Sequence, residues 1–375
     1  MERYGLSRIF QNLGKRRRFE TNPESTGVQE PNVAITPIPE KVDALHLETE
    51  KETRKMKDIV EIKFFVGPHG SLEDFKKLRE ELQRTDVLIL EGYGWDKEYE
   101  ERRQQVADGL VEPTSPETGS IRSMIENTIH NTYIKILTAD VPKNHPEKEK
   151  IDRLQTERTT QEGLVRKAFL NGEFSNAVHR QLDANTARNV SQSLREDIIK
   201  EQLEAQLQSI KDTTPKLKEK DKIRVVVFFG LAHINVYKKL RKEGWNSKLQ
   251  PTKSTVFHDS GSSQYLNKGN SGYRERNLYA ARQIVEQMII NQLPNPDKNT
   301  DNNIIQGAAR IIVEKLTLRD IEKIFKEISG TQDERKKERI FRSKVGKASG
   351  LIFPLTEREC RNLVIGTTRS EKLTR

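Results

Sequence analysis

The chain has 375 residues, of which 33% are hydrophobic and 33% charged, and its formal net charge is +10. No run approaches the roughly eighteen apolar residues of a membrane span, and the charged N-terminus lacks the apolar segment of a secretory signal. The single cysteine, Cys360, excludes an internal disulfide and a multi-cysteine metal site. We therefore predict a soluble, cytoplasmic protein.

The excess positive charge belongs to the two ends of the chain. Residues 1–20 contain six Lys and Arg against two Glu, giving +4, and residues 331–375 contain twelve against six acidic residues, giving +6. The body between them is therefore near neutral. Basic ends can make weak contacts with nucleic acid or another anionic surface, or they can simply keep a protein in solution. The sequence predicts no particular oligomeric state.

The N-terminal residues 1–55 are predicted to be a disordered tail, because they are rich in polar residues and proline and lack apolar periodicity. Order is predicted to begin near Asp58, with a strand over Ile59–Val66 that runs into Gly67-Pro68-His69-Gly70. Ser71 is expected to cap a helix that continues to Leu82.

A second apolar strand, Val87–Leu90, ends in Glu91 and Gly92. Strand, helix and strand in this order form a βαβ unit, so the two strands should be parallel. A further strand is predicted over Ile134–Leu137, ending near Asp140. Residues 151–210 then show a mostly helical pattern.

Five consecutive β-branched or aromatic residues, Val225–Phe229, are typical of a strand that is buried on both faces. The strand ends in Gly230-Leu231-Ala232-His233, and helical spacing resumes at Val236. A histidine therefore follows the carboxyl end of a buried strand, which is where open α/β sheets bind their ligands.

The region after Trp245 is predicted to begin with a Ser- and Gly-rich loop over residues 250–272. Helices are predicted at 273–293, 304–328 and 333–347, followed by an irregular end. The fold class is thus α/β: a mixed or mostly parallel sheet flanked by helices over 56–250, with a helical, basic C-terminal extension over 251–375.

Polar side chains follow three of the predicted strands next to glycine. They are His69, Glu91 and His233. Because the carboxyl ends of parallel strands meet at one edge of a sheet, these groups are expected to converge there. Two imidazoles and a carboxylate suit a divalent ion, or an acid/base set without a metal. The alternative is that these residues simply belong to surface loops.

The order of these motifs resembles the TraB/PrgY/TIKI group, which belongs to a superfamily with erythromycin esterase and haem-binding ChaN-like proteins. The matching residues are Phe64-Phe65-Val66-Gly67-Pro68-His69, Val87-Leu88-Ile89-Leu90-Glu91-Gly92, Leu194-Arg195-Glu196-Asp197-Ile198 and Gly230-Leu231-Ala232-His233. The resemblance covers residues 58–244, about half the chain. Members of the group include metal-dependent peptidases, an esterase and haem-binding proteins.

The resemblance implies a site made of His69, Glu91, Arg195 and His233. A Mn²⁺- or Zn²⁺-type ion would be held by His69, Glu91 and His233, or Glu91 would act as a general base, while Arg195 would stabilise an oxyanion or bind a substrate carboxylate. The predicted function is a metal-assisted hydrolase acting on a small-molecule or peptide substrate through a peptide or ester bond. The alternatives are a non-catalytic binding or regulatory protein, or a nucleic-acid-associated protein that uses its basic termini.

Overall fold

The computed structural model describes residues 56–67, 72–118, 120–251, 272–293 and 302–373. The predicted tail over 1–55, the His69 motif and the Ser71 cap lie outside these described residues, as does most of the predicted loop over 250–272.

Within the described residues, five strands form one sheet in the order β3-β2-β4-β1-β5, and every neighbouring pair is parallel. The strands are β1 (Val60–Gly67), β2 (Val87–Leu90), β3 (Lys135–Thr138), β4 (Ile223–Gly230) and β5 (Ser247–Pro251). The predicted α/β class and the parallel arrangement of the first two strands are confirmed. Strand β4 lies between β1 and β2, so the three strands whose ends were expected to meet are neighbours.

Helices surround this sheet and continue beyond it. The described helices of four or more residues that follow β1 are α1 (Leu72–Leu82), α2 (Lys97–Ala107), α3 (Ile121–Ile129), α4 (Lys148–Leu170), α5 (Phe174–Gln208), α6 (Ile210–Thr213), α7 (Ile234–Lys242), α8 (Tyr273–Gln292), α9 (Asn302–Glu314), α10 (Leu318–Ser329), α11 (Glu334–Ser349) and α12 (Glu357–Leu373). A short 3-10 turn, Leu231–His233, joins β4 to α7.

Strand β4 is buried on both faces, as its apolar run predicts. Val225, Val227 and Phe229 pack with the second half of α5 and with α7, whereas Val226 and Phe228 pack with α1, α2 and α3. Successive side chains of a strand point to opposite faces, so an unbroken apolar run requires cover on both sides. The sheet is therefore the middle layer between two helical layers.

The helices after residue 272 share a separate apolar cluster with the end of α4 and the beginning of α5. Phe169 of α4 makes an edge-to-face contact with Phe325 of α10, with ring centroids 4.5 Å apart, and the Phe174 ring lies 5.2 Å from the same ring. Helix α10 begins with a capping box, in which Thr317 accepts from the backbone of Asp320 while the Asp320 carboxylate accepts in return. The assignment of 56–250 and 251–375 to separate parts stays a prediction.

Three features of the C-terminal half differ from the sequence prediction. Residues 247–251 form an edge strand, whereas the sequence predicts no strand here and a loop from residue 250. The segment has little apolar content of its own, and pairing with β1 makes it a strand. The single helix predicted over 304–328 is divided at Leu316. The predicted irregular end contains α12, which buries Cys360 and Val364.

In the part of the chain that the structure describes, no helix has both the length and the apolar character needed to span a membrane.

Candidate functional site

The carboxyl ends of three neighbouring strands bring together acidic and imidazole groups. Leu90 lies beside Phe228 in the β2–β4 ladder, and Glu91 is the next residue after β2. His233 follows β4 by three residues, and Asp140 follows β3 by two. Because the strands are parallel, all three groups lie at one edge of the sheet. His69, the remaining predicted ligand, lies outside the described residues.

Arg195 reaches this edge from helix α5 and joins the two carboxylates. Its Nη2 lies 2.6 Å from Glu91 Oε1 and 2.6 Å from Asp140 Oδ2, and its Nε lies 2.8 Å from Asp140 Oδ1. The Tyr93 ring packs 5.1 Å from the guanidinium carbon. Burial alone would lower the pKa of Arg195, but Asp140 and Glu91 outweigh burial and raise it. Arg195 is therefore a permanently charged group in a fixed orientation.

His233 lies behind Glu91, and its contacts fix its tautomer. Gln192 Nε2 is 3.0 Å from the Ala232 carbonyl oxygen, so this atom is the amide nitrogen that donates, and it also lies 3.2 Å from His233 Nδ1. The same amide nitrogen also donates to Glu196 Oε1 at 3.3 Å, so the proton on the ring is placed by Glu91, whose carboxylate can only accept and therefore requires a proton on His233 Nε2. That Nε2 is 3.2 Å from Glu91 Oε1 and donates to it.

Glu91 is the centre of the cluster. Its Oε1 accepts from Arg195 and His233, and its Oε2 accepts from the backbone N–H of Gly230 at 2.8 Å. The side chains differ in exposure: Glu91 is 21% and Arg195 16% exposed, but His233 only 1%. A ligand arriving from solvent would meet Glu91 and Arg195 first.

Asp140 has a larger role than the sequence indicates. The chain pattern favours a loop aspartate that caps a turn, or one that orients a histidine. The side chain is fully buried and pairs with Arg195 instead, while accepting from the backbone N–H of Gly92 at 3.1 Å and of Val141 at 2.8 Å. The signal that could have identified it is positional, because it follows β3 much as Glu91 follows β2.

A second group of polar residues holds Tyr93 against Arg195. The Tyr93 hydroxyl donates to Asp152 Oδ1 at 2.6 Å, and Lys148 pairs with Asp152 at 2.6 Å. Burial, followed by the hydrogen bond to Asp152, raises the pKa of the Tyr93 hydroxyl. Tyr93 therefore stays neutral at physiological pH and serves as a packing surface for the guanidinium.

With formal charges, two carboxylates and one guanidinium leave the cluster with a net charge of −1 when His233 is neutral. An excess negative charge in a partly buried site favours binding of a cation or a proton. Among the described residues, however, no group of three or more His, Cys, Asp and Glu side chains is arranged to hold a metal ion.

A scan of the chain against protein-family models found no match, and searches of curated proteins and of solved structures also found none. Family membership is therefore not shown. The resemblance to the TraB/PrgY/TIKI group stays a prediction.

Proposed function

We propose that the protein is a hydrolase of a peptide or ester bond, similar to the TraB/PrgY/TIKI group, that uses a divalent metal ion at the carboxyl edge of its sheet. The observation that carries this proposal is the position of Glu91, which lies 2.6 Å from Arg195 and 3.2 Å from His233 although these residues are 104 and 142 positions away in the chain. A partly exposed carboxylate and a fixed cation, with a buried imidazole in contact with the carboxylate, are groups that can support hydrolysis of an acyl bond.

The donor set fits an ion in its chemistry. Glu91 offers carboxylate oxygen and His233 offers imidazole nitrogen, ligand types that Mn²⁺ and Zn²⁺ accept, and His69 would be the third ligand. His233 must present an unprotonated nitrogen to an ion. Since Nε2 carries the proton that Glu91 accepts, ligation through Nε2 requires the other tautomer, with the proton on Nδ1 facing Gln192. When bound, the ion would polarise the scissile carbonyl and lower the pKa of a coordinated water.

Arg195 would bind the charge that develops on the substrate. Its Nε and Nη2 are used by Asp140 and Glu91, and no hydrogen bond with the described residues uses its Nη1. The side chain is 16% exposed, so Nη1 can donate to a carbonyl oxygen or carboxylate of a ligand. Because Asp140 and Tyr93 hold the guanidinium in place, this donor is preorganised.

Glu91 would act on the nucleophile. Its carboxylate is the most exposed of the four groups, and a water bound beside it could transfer a proton to Oε1 or Oε2. Without an ion, the nearly buried His233 would position Glu91 through its Nε2–H, and with an ion it would be a ligand instead.

A second function has one observation in its favour. The carboxylate oxygens of Glu91 are already used by Arg195, His233 and Gly230, an arrangement that also suits a structural ion-pair network. On this alternative the protein binds a ligand or partner at the sheet edge without turnover.

Hydrolysis by the purified full chain tests the proposal. A panel of fluorogenic peptides and short-chain esters would be incubated with Mn²⁺ or Zn²⁺, using the wild type, Glu91→Gln and the control Glu201→Gln. Glu201 is exposed on α5 and is a matched charge removal outside the site. We expect turnover by the wild type and the control, and a loss of at least about 100-fold in Glu91→Gln. Equal turnover in the two variants would contradict the mechanism, and binding without turnover would favour the alternative.

A further inference from the structure

The loop between α11 and α12 carries two bulky aliphatic side chains into solvent. Ile352 is 90% exposed and Leu355 is 57% exposed, whereas Phe353 between them is buried in the apolar cluster of the C-terminal helices. A single exposed aliphatic residue is ordinary, but two of them on one short loop form an apolar protrusion. We call this loop, residues 350–356, the apolar tip.

The apolar tip is held in one conformation at both ends. Gly350 ends α11 in the left-handed region, with φ of 69°, which favours glycine at a helix C-terminus. At the other end, Glu359 Oε2 accepts from the backbone N–H groups of Leu355 at 2.7 Å and Thr356 at 3.0 Å. Because the buried Phe353 anchors the middle of the loop, the tip would lose little conformational entropy on binding to a partner.

Helix α11 presents a strongly basic face to solvent. Seven of its residues are Lys or Arg against two Glu, and Arg342 and Lys344 pair with Glu338 and Glu327. Four of the others are exposed, and none of these four forms an ion pair with another described side chain. At about 100° per residue, the four fall within about a third of the helix circumference, and both glutamates of α11 lie outside this arc. The four residues, which we call the basic face, are Arg335, Lys336, Arg339 and Lys347.

The apolar tip lies against the basic face. A side-chain carbon at Gly346 would lie 3.1 Å from the Leu351 carbonyl oxygen and 3.9 Å from the Phe353 nitrogen, so the backbone of Ile352 packs on α11 at Gly346. Glycine permits this close approach. Since Gly346 is seven residues after Arg339 and directly precedes Lys347, it belongs to the same side of the helix. The exposed aliphatic groups and the exposed cations therefore share one continuous surface.

An anionic lipid bilayer complements both parts of this surface. Lys and Arg side chains attract anionic headgroups, and a protruding aliphatic group can enter the boundary between headgroups and acyl chains without a matching pocket. A nucleic acid would use the cations through its phosphates but would leave Ile352 and Leu355 in water. The start of α12 does not oppose this binding, because Glu357 and Glu359 are balanced in formal charge by Arg358 and Arg361.

We infer that the protein attaches peripherally to an anionic phospholipid bilayer through the apolar tip and the basic face. Ile352 and Leu355 insert below the headgroups, and the four cations of the basic face contact the anionic headgroups. This attachment goes beyond the proposed hydrolase and does not depend on it, because none of its residues belongs to the site at the sheet edge.

The test is co-sedimentation of the full chain with lipid vesicles. One set of vesicles contains phosphatidylcholine with about one third phosphatidylserine, and the other contains phosphatidylcholine alone. We expect binding to the anionic vesicles that weakens as salt is added, and much weaker binding to the neutral ones. Ile352→Ser should weaken binding to the anionic vesicles by at least about fivefold, since an apolar group no longer leaves water. Lys347→Gln should weaken it by about fivefold, as the loss of one surface cation predicts.

Two matched controls remove the same groups elsewhere. Leu110 is 74% exposed after α2, and Lys238 is exposed on α7, so Leu110→Ser and Lys238→Gln should bind the vesicles as the wild type does. All four substitutions are at exposed positions, and circular dichroism should show an unchanged fold. No binding to the anionic vesicles, equal binding to both kinds of vesicle, or unchanged binding by Ile352→Ser would overturn the inference. Retention on duplex DNA without vesicle binding would also overturn it and would assign the basic face to nucleic acid.

Discussion

Replacement of Asp140 by asparagine is the most informative test of how the site is held together. The Asp140 carboxylate is fully buried, makes two short contacts with Arg195 at 2.8 and 2.6 Å, and accepts from two backbone N–H groups. The Asp140→Asn substitution keeps the shape of the side chain but removes the charge that compensates Arg195.

Removal of one partner from a buried ion pair lowers the free energy of unfolding by about 3–5 kcal/mol. Because Glu91 still contacts Arg195 at 2.6 Å in the variant, we expect the lower end of this range, about 3 kcal/mol. Urea unfolding at pH 7, monitored by circular dichroism, measures the difference in unfolding free energy between the wild type and the variant.

Two controls make the result specific. Glu147→Gln removes a carboxylate that pairs with Lys150 at 2.8 Å on the protein surface, where solvent screens the pair, so the urea midpoint should stay the same within experimental error. A double-mutant cycle with Arg195→Met should give a coupling energy of about 2 kcal/mol or more. A loss below about 1 kcal/mol for Asp140→Asn, or a coupling near zero, would refute the account of Arg195 as a guanidinium fixed by Asp140.

Three further predictions concern residues outside the site. Burial would raise the pKa of Glu126, but hydrogen bonds from Arg122, Thr114 and Arg102 outweigh burial and lower the pKa to about 2. The ionised carboxylate therefore stabilises the folded protein above the ordinary pKa of 4.5, and this stabilisation is lost as the pH falls towards 2. Glu126→Gln should flatten the decline of the unfolding free energy between pH 4.5 and 2, and an unchanged slope would contradict this. Burial and the nearby Glu359 raise the pKa of the Cys360 thiol to about 11. Each pKa unit lowers the reactive thiolate fraction about tenfold, so labelling by a thiol reagent at about pH 8 should be at least about 100-fold slower in the folded protein than in urea. Phe228→Ala should lower the unfolding free energy by about 3–5 kcal/mol in urea titrations, because the ring is 1% exposed.

The sheet was predictable because its strands have strong local signals. Val87–Leu90 and the run at Val225–Phe229 are too apolar and too short for surface elements, and their parallel pairing follows from the helical connections between them. The same reasoning places Glu91 and His233 at one edge, since Glu91 directly follows β2 and His233 follows β4 by three residues. By contrast, Ser247–Pro251 has no pattern of its own and becomes a strand only by pairing with β1.

The part of the site that could not be predicted is the pairing between side chains. Arg195 comes from the middle of a 35-residue helix whose sequence does not indicate which turn faces the sheet edge. Gln192 and Asp140 have ordinary neighbours in the chain, and their roles depend on contacts across 41 and 55 residues. Hydrogen-bond geometry of this kind is set by packing rather than by local propensity.

Ion binding at the sheet edge tests the central claim most directly. Mn²⁺ would be titrated calorimetrically into the full chain, and into Glu91→Gln, His233→Ala and the control His179→Ala, whose side chain is 73% exposed on α5. The account predicts one ion per chain in the wild type and the control, with affinity at least about tenfold lower in each of the two site variants while circular dichroism shows an unchanged fold. Equal affinity in all four proteins, or no binding by the wild type with either Mn²⁺ or Zn²⁺, would contradict the assignment of Glu91 and His233 as metal ligands.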